Sequence, residues 1–282
     1  MGVSETVRGM LELTRPINAI AAGVLTFVGA FVAGGVIDAQ LLVLAAVGAT
    51  VLATGAGNAI NDYFDREIDR INKPDRPIPR EAVTPRLALA ESVVLFVAAV
   101  ALALLLPPLA IAIAAVNLLA LVAYTKLFKG LPGVGNAVVS TLVGSTFLFG
   151  GAAVGRIDVV LVLFLLAALA TFSRELVKDV EDVEGDREEG LRTVPIVYGD
   201  RSALLLGTGS LLVAIAASPL PYLLGTFGVA YLLVVLPANA VMAYGSYASF
   251  HDPASGHRYI KYGMFVAVLA FVVGRLGALG VI

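Results

Sequence analysis

The chain alternates between long apolar blocks and short polar segments. Each block is apolar on all sides, unlike the one-sided stripe of a soluble helix, and about 20 such residues are enough to cross a bilayer. Prolines interrupt the apolar pattern at Pro107 and Pro108 and again at Ser218–Tyr222. The pattern predicts an all-α polytopic membrane protein, a single domain over residues 1–282, with nine transmembrane helices in one bundle: 16–35, 40–60, 87–106, 109–127, 134–154, 158–177, 202–219, 221–243 and 260–281.

Composition supports this interpretation. Of the 282 residues, 59% are hydrophobic and 14% are charged, whereas soluble domains carry about 25% charged residues. The chain has no cysteine, which excludes disulfides, thiol catalysis and thiolate metal sites. The net charge of −2 gives no indication of a nucleic-acid partner, and none is expected.

The basic residues are distributed unevenly across the predicted bilayer. With the N-terminus in the cytoplasm, all of the 19 lysines and arginines lie on cytoplasmic segments except Arg156 and Arg275. Cytoplasmic segments of membrane proteins are enriched in these residues. We therefore expect a multi-pass protein of the plasma membrane, with both long polar loops, 61–86 and 173–201, on the cytoplasmic side.

The acidic residues concentrate in the same two loops. The motif "NDYFDREID" ends the second predicted span, and "KDVEDVEGD" ends the sixth. A basic, proline-containing segment follows each motif, "KPDRPIP" in the first loop and "REEGLRTVP" in the second. Since four spans separate the motifs, the sequence predicts a weak internal repeat of helices 1–4 and 5–8, with a ninth helix appended.

Within each motif the acidic side chains recur at helical spacing, which places them on one helical face. Oxygen ligands without histidine or cysteine suit a hard cation such as Mg²⁺. The predicted metal ligands are Asn61, Asp62, Asp65 and Asp69 in the first motif and Asp179, Asp182 and Asp186 in the second. Asp65 and Asp182 lie centrally in their motifs, and we expect them to be essential for catalysis.

The position of the motifs at the ends of apolar helices indicates the substrate class. Two facing acidic clusters would clamp a diphosphate through bridging Mg²⁺ ions, while the apolar bundle would hold a hydrocarbon tail. These two requirements together predict a polyprenyl diphosphate substrate. Metal-assisted departure of diphosphate would leave an allylic carbocation, which a second substrate captures.

The paired motifs and the nine spans resemble the UbiA superfamily of intramembrane prenyltransferases over essentially the whole chain. Four stretches, "GNAINDYFDREIDRINKPDRPIP", "YTKLFKGLPGVGNAVV", "FGGAAVGRID" and "RELVKDVEDVEGDREEGLRTVPIVYG", are most similar to the branch that serves archaeal ether-lipid synthesis. The resemblance implies transfer of a geranylgeranyl group from its diphosphate to the free hydroxyl of geranylgeranylglyceryl phosphate. Both substrates and the bilayer are then the expected partners.

Further polar residues near the motifs are candidate substrate ligands. The resemblance implies a basic residue near the substrate at Arg15 and diphosphate contacts from the loop that follows Tyr124. Basic residues beyond the first motif could instead hold the phosphate of the acceptor. The full candidate set is Arg15, Asn58, Arg66, Arg70, Lys73, Arg76, Tyr124, Lys126, Lys129, Arg174 and Lys178. His251 and His257 are interpreted as loop residues.

Two other interpretations stay open at this point. The same fold could use a different acceptor, either an aromatic quinone precursor or a chlorophyllide, since "DREIDRINKPDRPIP" is also close to chlorophyll synthases. A divalent-cation transporter would belong to another class of protein. Transport predicts ionisable residues near the bilayer midplane, whereas the acidic residues here lie mainly at one end of the predicted spans.

Overall fold

In a computed structural model, which describes residues 2–124, 128 and 130–282, the described part of the chain is helical and contains no β-strand. The helices are α1 (Val3–Leu13), α2 (Pro16–Ala33), α3 (Gln40–Phe64), α4 (Arg66–Asn72), α5 (Pro85–Ala103), α6 (Pro108–Ala123), α7 (Val134–Ala153), α8 (Leu161–Glu181), α9 (Val183–Glu188), α10 (Val194–Tyr198), α11 (Asp200–Ala217), α12 (Leu220–Leu223), α13 (Ala230–Ala248) and α14 (Pro253–Ala278). The predicted all-α class is therefore confirmed.

Eight described helical segments are long and apolar enough to cross a membrane. They contain α2, α3, α5, α7, α8, α11, α13 and α14. The predicted span 109–127 corresponds to α6, which is apolar but has 16 residues. The last residues of that predicted span, 125–127, lie outside the described residues.

The eighth predicted span begins at the wrong residue. The sequence predicts 221–243, but α13 begins at Ala230, and the short helix α12 and a turn at Gly225 with φ of +72° precede it. The segment that forms this break is itself apolar, so hydropathy alone does not separate it from the helix. The Tyr231 hydroxyl donates to the Ser218 carbonyl at 2.7 Å, which ties the break to the start of α13.

Close contacts between small residues hold the spans together. A Cβ atom added to Gly150 of α7 would lie 2.0 Å from the Thr26 carbonyl oxygen of α2, and one added to Gly29 would lie 2.4 Å from the Phe147 oxygen. Glycine thus lets the two backbones approach closely. Within a bilayer, where the hydrophobic effect does not act between helices, such close packing drives helix association. An aromatic cluster of Phe147, Phe227, Tyr231 and Phe271 packs α7 and α14 against the start of α13.

The polar segments gather at one end of the bundle. The segment between α4 and α5 folds back over α1, where Arg80 Nη2 lies 2.6 Å from Glu12 Oε2. At the same end, His257 in the first turns of α14 lies 3.0 Å from Glu181 at the end of α8. Helix α7 leads from this end of the bundle to the opposite end, and α8 returns from there, so the second motif at the end of α8 lies here as well. Both acidic motifs therefore lie at the same end of the bundle.

Candidate active site

Both acidic motifs contain a bend at their central aspartate. Helix α3 ends before Asp65, which has φ −82° and ψ 1°, and α4 begins directly after it. Helix α8 likewise ends before Asp182, with φ −95° and ψ 7°, and α9 follows. The prediction of one continuous helical face in each motif is therefore wrong. Helical hydrogen bonds still cross both bends: the Asp69 N–H donates to the Asp65 carbonyl at 2.8 Å, and the Asp186 N–H donates to the Asp182 carbonyl at 2.9 Å.

The two bends match in sequence as well as in backbone. Asp62, Asp65 and Asp69 have the same spacing as Asp179, Asp182 and Asp186. The central member of each set forms the bend, and the first member lies in the last turns of an apolar helix. Each bend occurs where a membrane-length helix passes into a polar segment. The two motifs therefore share their spacing and their local backbone geometry.

The second motif lines a cavity of about 120 Å³ at the polar end of the bundle. Asn136 of α7 donates from Nδ2 to Asp179 Oδ2 at 2.8 Å, and Lys178 Nζ lies 3.3 Å from Asp182 Oδ2. The polar and charged residues of its wall are Tyr124, Asn136, Glu175, Lys178, Asp179, Asp182, Asp186 and Thr193. Among the described residues, the cavity wall is therefore strongly acidic and contains one lysine.

Tyr124 lies between the two motifs. Burial, followed by the negative charges of Glu175, Asp179 and Asp186 and of Asp65 from the first motif, raises the pKa of the Tyr124 hydroxyl to about 12. The phenol is therefore protonated at neutral pH and available as a hydrogen-bond donor. Burial, and next the neighbouring Asp182 carboxylate, raises the pKa of Asp186. A bound cation would oppose both effects.

Two arginines neutralise the first motif. Asp62 and Asp69 are each 3% exposed. Arg76 Nη1 lies 3.0 Å from Asp62 Oδ1 and 2.5 Å from Asp69 Oδ2, while Arg15 Nη2 lies 2.6 Å from the same Asp62 oxygen. The two predicted substrate ligands thus contact carboxylates of the motif. Buried charges need such partners, because desolvation strongly disfavours an unpaired ion.

The backbone of Arg15 is strained. Its φ is +47° and its ψ is 66°, a left-handed conformation, and the residue directly precedes Pro16 at the start of α2. Few non-glycine residues adopt this region, and the penalty is of order 1–2 kcal/mol. The ion pair with buried Asp62 offsets this strain. Backbone strain of this kind is concentrated at functional sites.

The remaining predicted substrate ligands are dispersed. Arg66 donates to the Tyr63 carbonyl at 2.8 Å, Arg70 pairs with exposed Glu67 at 2.9 Å, and Lys73 is exposed. Asn58 donates to the Thr14 carbonyl at 2.9 Å, which links α3 to the junction of α1 and α2. Lys126 and Lys129 lie outside the described residues. Asn61 and Asp65 lie at the end of α3, within the first motif.

Two residues of this region were missed by the sequence interpretation. Glu175 lines the cavity and forms an ion pair with Arg174, and its position four residues before Asp179 is a signal that helical spacing provides. His257 is not a loop residue: it lies in α14, with Nδ1 at 3.0 Å from Glu181 Oε2 and Nε2 at 3.4 Å from Arg174 Nη1. The Asp252 cap and Pro253 at the start of α14 are the sequence signals for this longer helix.

One acidic residue lies within a span away from the motifs. Glu91 belongs to α5, and its Oε2 atom is buried without a hydrogen-bond partner among the described residues. A transport pathway would require several such groups near the middle of the bundle. A single carboxyl within α5, against two acidic motifs at one end, favours a surface site over a transport path.

The donor set is suited to Mg²⁺. Within the described ranges, no three Asp, Glu or His side chains converge as ligands of one metal ion. Mg²⁺ is usually bound by one or two carboxylates, with substrate phosphate oxygens and waters completing its shell. Carboxylates also outnumber the cations in the cavity wall. The site therefore fits Mg²⁺ held jointly by the protein and a diphosphate.

The arginine that bridges the first motif generates a stability prediction. We expect Arg76→Gln to lower the unfolding temperature in detergent by at least about 6 °C, because it leaves two buried carboxylates short of a partner. Arg70→Gln is the matched control, since Arg70 pairs with Glu67 at a site where both side chains are more than 60% exposed. Its unfolding temperature should change by about 1 °C or less. Equal losses in the two variants would contradict the buried ion-pair interpretation.

Comparisons with known proteins show the family of the chain. Residues 22–269 match the UbiA prenyltransferase family. A protein of Natronomonas pharaonis named digeranylgeranylglyceryl phosphate synthase is 64% identical over 273 residues, which cover 96% of this chain and 98% of the relative. A solved structure of a digeranylgeranylglyceryl phosphate synthase is 35% identical, with a TM-score of 0.83 over 96% of this chain and 99% of that one.

A more distant solved structure has the same fold. It is a UbiA homologue from Archaeoglobus fulgidus bound to GPP and Mg²⁺, 17% identical, with a TM-score of 0.72 over 96% of this chain and 99% of that chain. The family match spans most of the chain, and the similarity to the Natronomonas relative extends over nearly all of both proteins. This chain belongs to the UbiA prenyltransferase family.

Proposed function

We propose that this chain transfers a geranylgeranyl group from geranylgeranyl diphosphate to the free hydroxyl of geranylgeranylglyceryl phosphate, releasing diphosphate. The observation that carries this proposal is the 64% identity, over nearly the full length of both chains, to a relative named for this reaction. The acidic cavity at the end of an apolar bundle fits a substrate with a diphosphate head and a hydrocarbon tail.

The reaction breaks the bond between the allylic carbon and the diphosphate oxygen and forms an ether bond to the acceptor hydroxyl oxygen. Mg²⁺, when bound, neutralises negative charge on the diphosphate and makes it a better leaving group. Asp65 and Asp182, at the two bends, are the carboxylates proposed to be essential. The other proposed metal-site residues are Asn61, Asp62, Asp69, Asp179 and Asp186.

The chain itself would position the diphosphate and take up the proton. Lys178 and protonated Tyr124 line the cavity and are proposed to donate to phosphate oxygens. Lys126, Lys129, Arg174, Arg66, Arg70 and Lys73 remain candidates for the phosphates of the two substrates. The hydroxyl proton would pass to a carboxylate of the cavity or to the departing diphosphate. Loss of the leaving group generates a carbocation, so a strong base is not required.

We propose nine membrane crossings, with α6 as the fourth, and an active site on the cytoplasmic side of the plasma membrane. The apolar composition of α6 and the distribution of basic residues support this topology. We also propose one domain built from a repeat of helices, an interpretation that the matching bends at Asp65 and Asp182 support.

The acceptor is tested with the purified protein and labelled geranylgeranyl diphosphate. We expect a labelled diether product when geranylgeranylglyceryl phosphate is supplied, and at least about 100-fold less transfer to 4-hydroxybenzoate or chlorophyllide. A chelator of divalent cations should abolish turnover and added Mg²⁺ should restore it, because diphosphate leaves poorly without charge neutralisation. Preferential labelling of 4-hydroxybenzoate or chlorophyllide, or full turnover in excess chelator, would overturn the proposal.

Asp65 and Asp182, the aspartates at the two bends, should both be needed for turnover. We expect Asp65→Ala and Asp182→Ala each to lower turnover by about 100-fold or more, the usual loss when a group that stabilises developing charge is removed. The double variant should lose little more than either single variant, because groups that act as a unit are not additive. Glu188→Ala is the control, since Glu188 is exposed on α9 and does not line the cavity. Near-normal turnover in either aspartate variant would count against a shared clamp.

Sidedness can be measured by single-cysteine labelling, because the chain has no native cysteine. Asp75, Asp200 and Asp38 are all exposed in the structure. We expect Asp75→Cys and Asp200→Cys to react with a membrane-impermeant maleimide only from the cytoplasmic side, and Asp38→Cys only from the other side. Reaction of the first two variants from opposite sides would refute the topology.

A further inference from the structure

An arginine pair lies at the end of the bundle opposite the acidic motifs. Helix α2 runs from Arg15, at the first motif, to Gly34, and α14 runs from the motif end to Ala278. Arg156 follows α7, whose first turn contains Asn136 of the cavity. Arg156, Arg275 and Gly34 therefore lie together at the far end. Neither the acidic cavity nor the proposed reaction uses them.

The two guanidinium groups converge over Gly34. A Cβ atom added to Gly34 would lie 2.8 Å from Arg275 Nη2 and 3.9 Å from Arg156 Nη1. The two nitrogens are thus no farther apart than the sum of these distances. Gly34 ends α2 with φ of +86° and carries no side chain, which leaves room for both groups. Two like charges at this separation repel each other unless an anion lies between them.

The described residues do not supply that anion. Within the part of the chain that the structure describes, neither arginine forms an ion pair, and Asp38 and Asp158 on the adjacent loops do not approach them closely enough to do so. The Nε atom of Arg275 is buried and has no hydrogen-bond partner there. A buried donor without an acceptor is rare in folded proteins and destabilising, so this donor is available to an acceptor from outside the described chain.

The helix ends nearby explain part of this arrangement. Arg275 lies in the last turn of α14 and beside the C-terminal end of α2, where the helix dipoles favour a cation. That effect is weak and does not satisfy the buried Nε donor. It also does not account for a second arginine, Arg156, which belongs to neither helix and is exposed.

Guanidinium pairs bind phosphate well, because each group presents several donors in a planar fork. The surroundings favour a lipid phosphate over a free ion. The connection after α2 carries Ile37 at 83% exposure, and the first turn of α3 carries Leu41 at 82%. Contact with water does not favour such side chains, but a bilayer would cover them. Basic pockets between membrane helices are suited to lipid head groups.

We propose that Arg156 and Arg275 form a binding site for the phosphate of a membrane phospholipid, in the leaflet opposite the proposed active site. The phosphate lies between the two guanidinium groups and accepts from Arg275 Nε. Its acyl chains extend along the apolar surface beside α2 and α14. This site is separate from the proposed prenyl transfer and does not depend on it.

The test uses the full chain, purified in a neutral detergent, and native mass spectrometry. Dioleoylphosphatidylglycerol is titrated into the wild type, Arg156→Gln, Arg275→Gln and the double variant. We expect at least about a 10-fold weaker affinity for the tightest-bound lipid in each single variant, and one fewer bound lipid in the double variant. Arg201→Gln, which removes an exposed arginine at the motif end, should bind like the wild type. Equal lipid binding by the wild type and the double variant would overturn the proposal.

Two further arms identify the source of the phosphate and exclude a purely structural role. Dioleoylglycerol, which lacks phosphate, should not occupy the site. Inorganic phosphate should raise the unfolding temperature less than the phospholipid does, and an equal rise would indicate a free-anion site instead. Without lipid, the Gln variants should unfold at or above the wild-type temperature, because the charge repulsion is relieved. A lower unfolding temperature without lipid, combined with unchanged lipid binding, would mean that the arginines only stabilise helix ends.

Discussion

The structure depends on placing many carboxylates at one end of a bundle that has little charge of its own. Hydrocarbon and apolar side chains cannot solvate an ion, so a buried carboxylate that stays charged must find a cation or a donor close by. Asp62 and Asp69 are nearly inaccessible to solvent and are held by Arg15 and Arg76. The strained backbone of Arg15 shows that the chain accepts a local cost to keep this partner in place.

The two halves of the bundle satisfy this requirement to different degrees. In the first motif, arginines of the chain neutralise the buried carboxylates without any ligand. In the second motif, Arg174 is paired with Glu175, and the three aspartates have Lys178 and the neutral amide of Asn136 as their partners. Among the described residues, negative charge therefore remains at the second motif, and burial, followed by the neighbouring Asp182 carboxylate, raises the pKa of Asp186. This remaining charge supports the proposal of a divalent cation at the second motif.

Much of this organisation could be predicted from the sequence. The apolar blocks determine where helices can cross a bilayer, and the spacing of Asp62, Asp65 and Asp69 brings the carboxylates to one region. The bend at Asp65 and Asp182 could not be predicted, because helical spacing assumes a straight helix. The start of α13 at Ala230 was also hidden, since hydropathy averages over a break whose own residues are apolar. His257 was missed for a related reason: helix α14 begins in a polar segment, and its contact with Glu181 depends on tertiary structure.

The same constraint acts at both ends of the bundle with opposite sign. At the motif end, carboxylates exceed cations among the described residues of the cavity wall. The proposed metal and diphosphate would complete the charge balance there. At the far end, two arginines converge where the described chain places no acid close enough to pair with them. An apolar bundle cannot redistribute charge between its ends, because about 30 Å of hydrocarbon thickness separates them. Each end must therefore take its counterion from its own surface, which is why we propose a metal–diphosphate at one end and a lipid phosphate at the other.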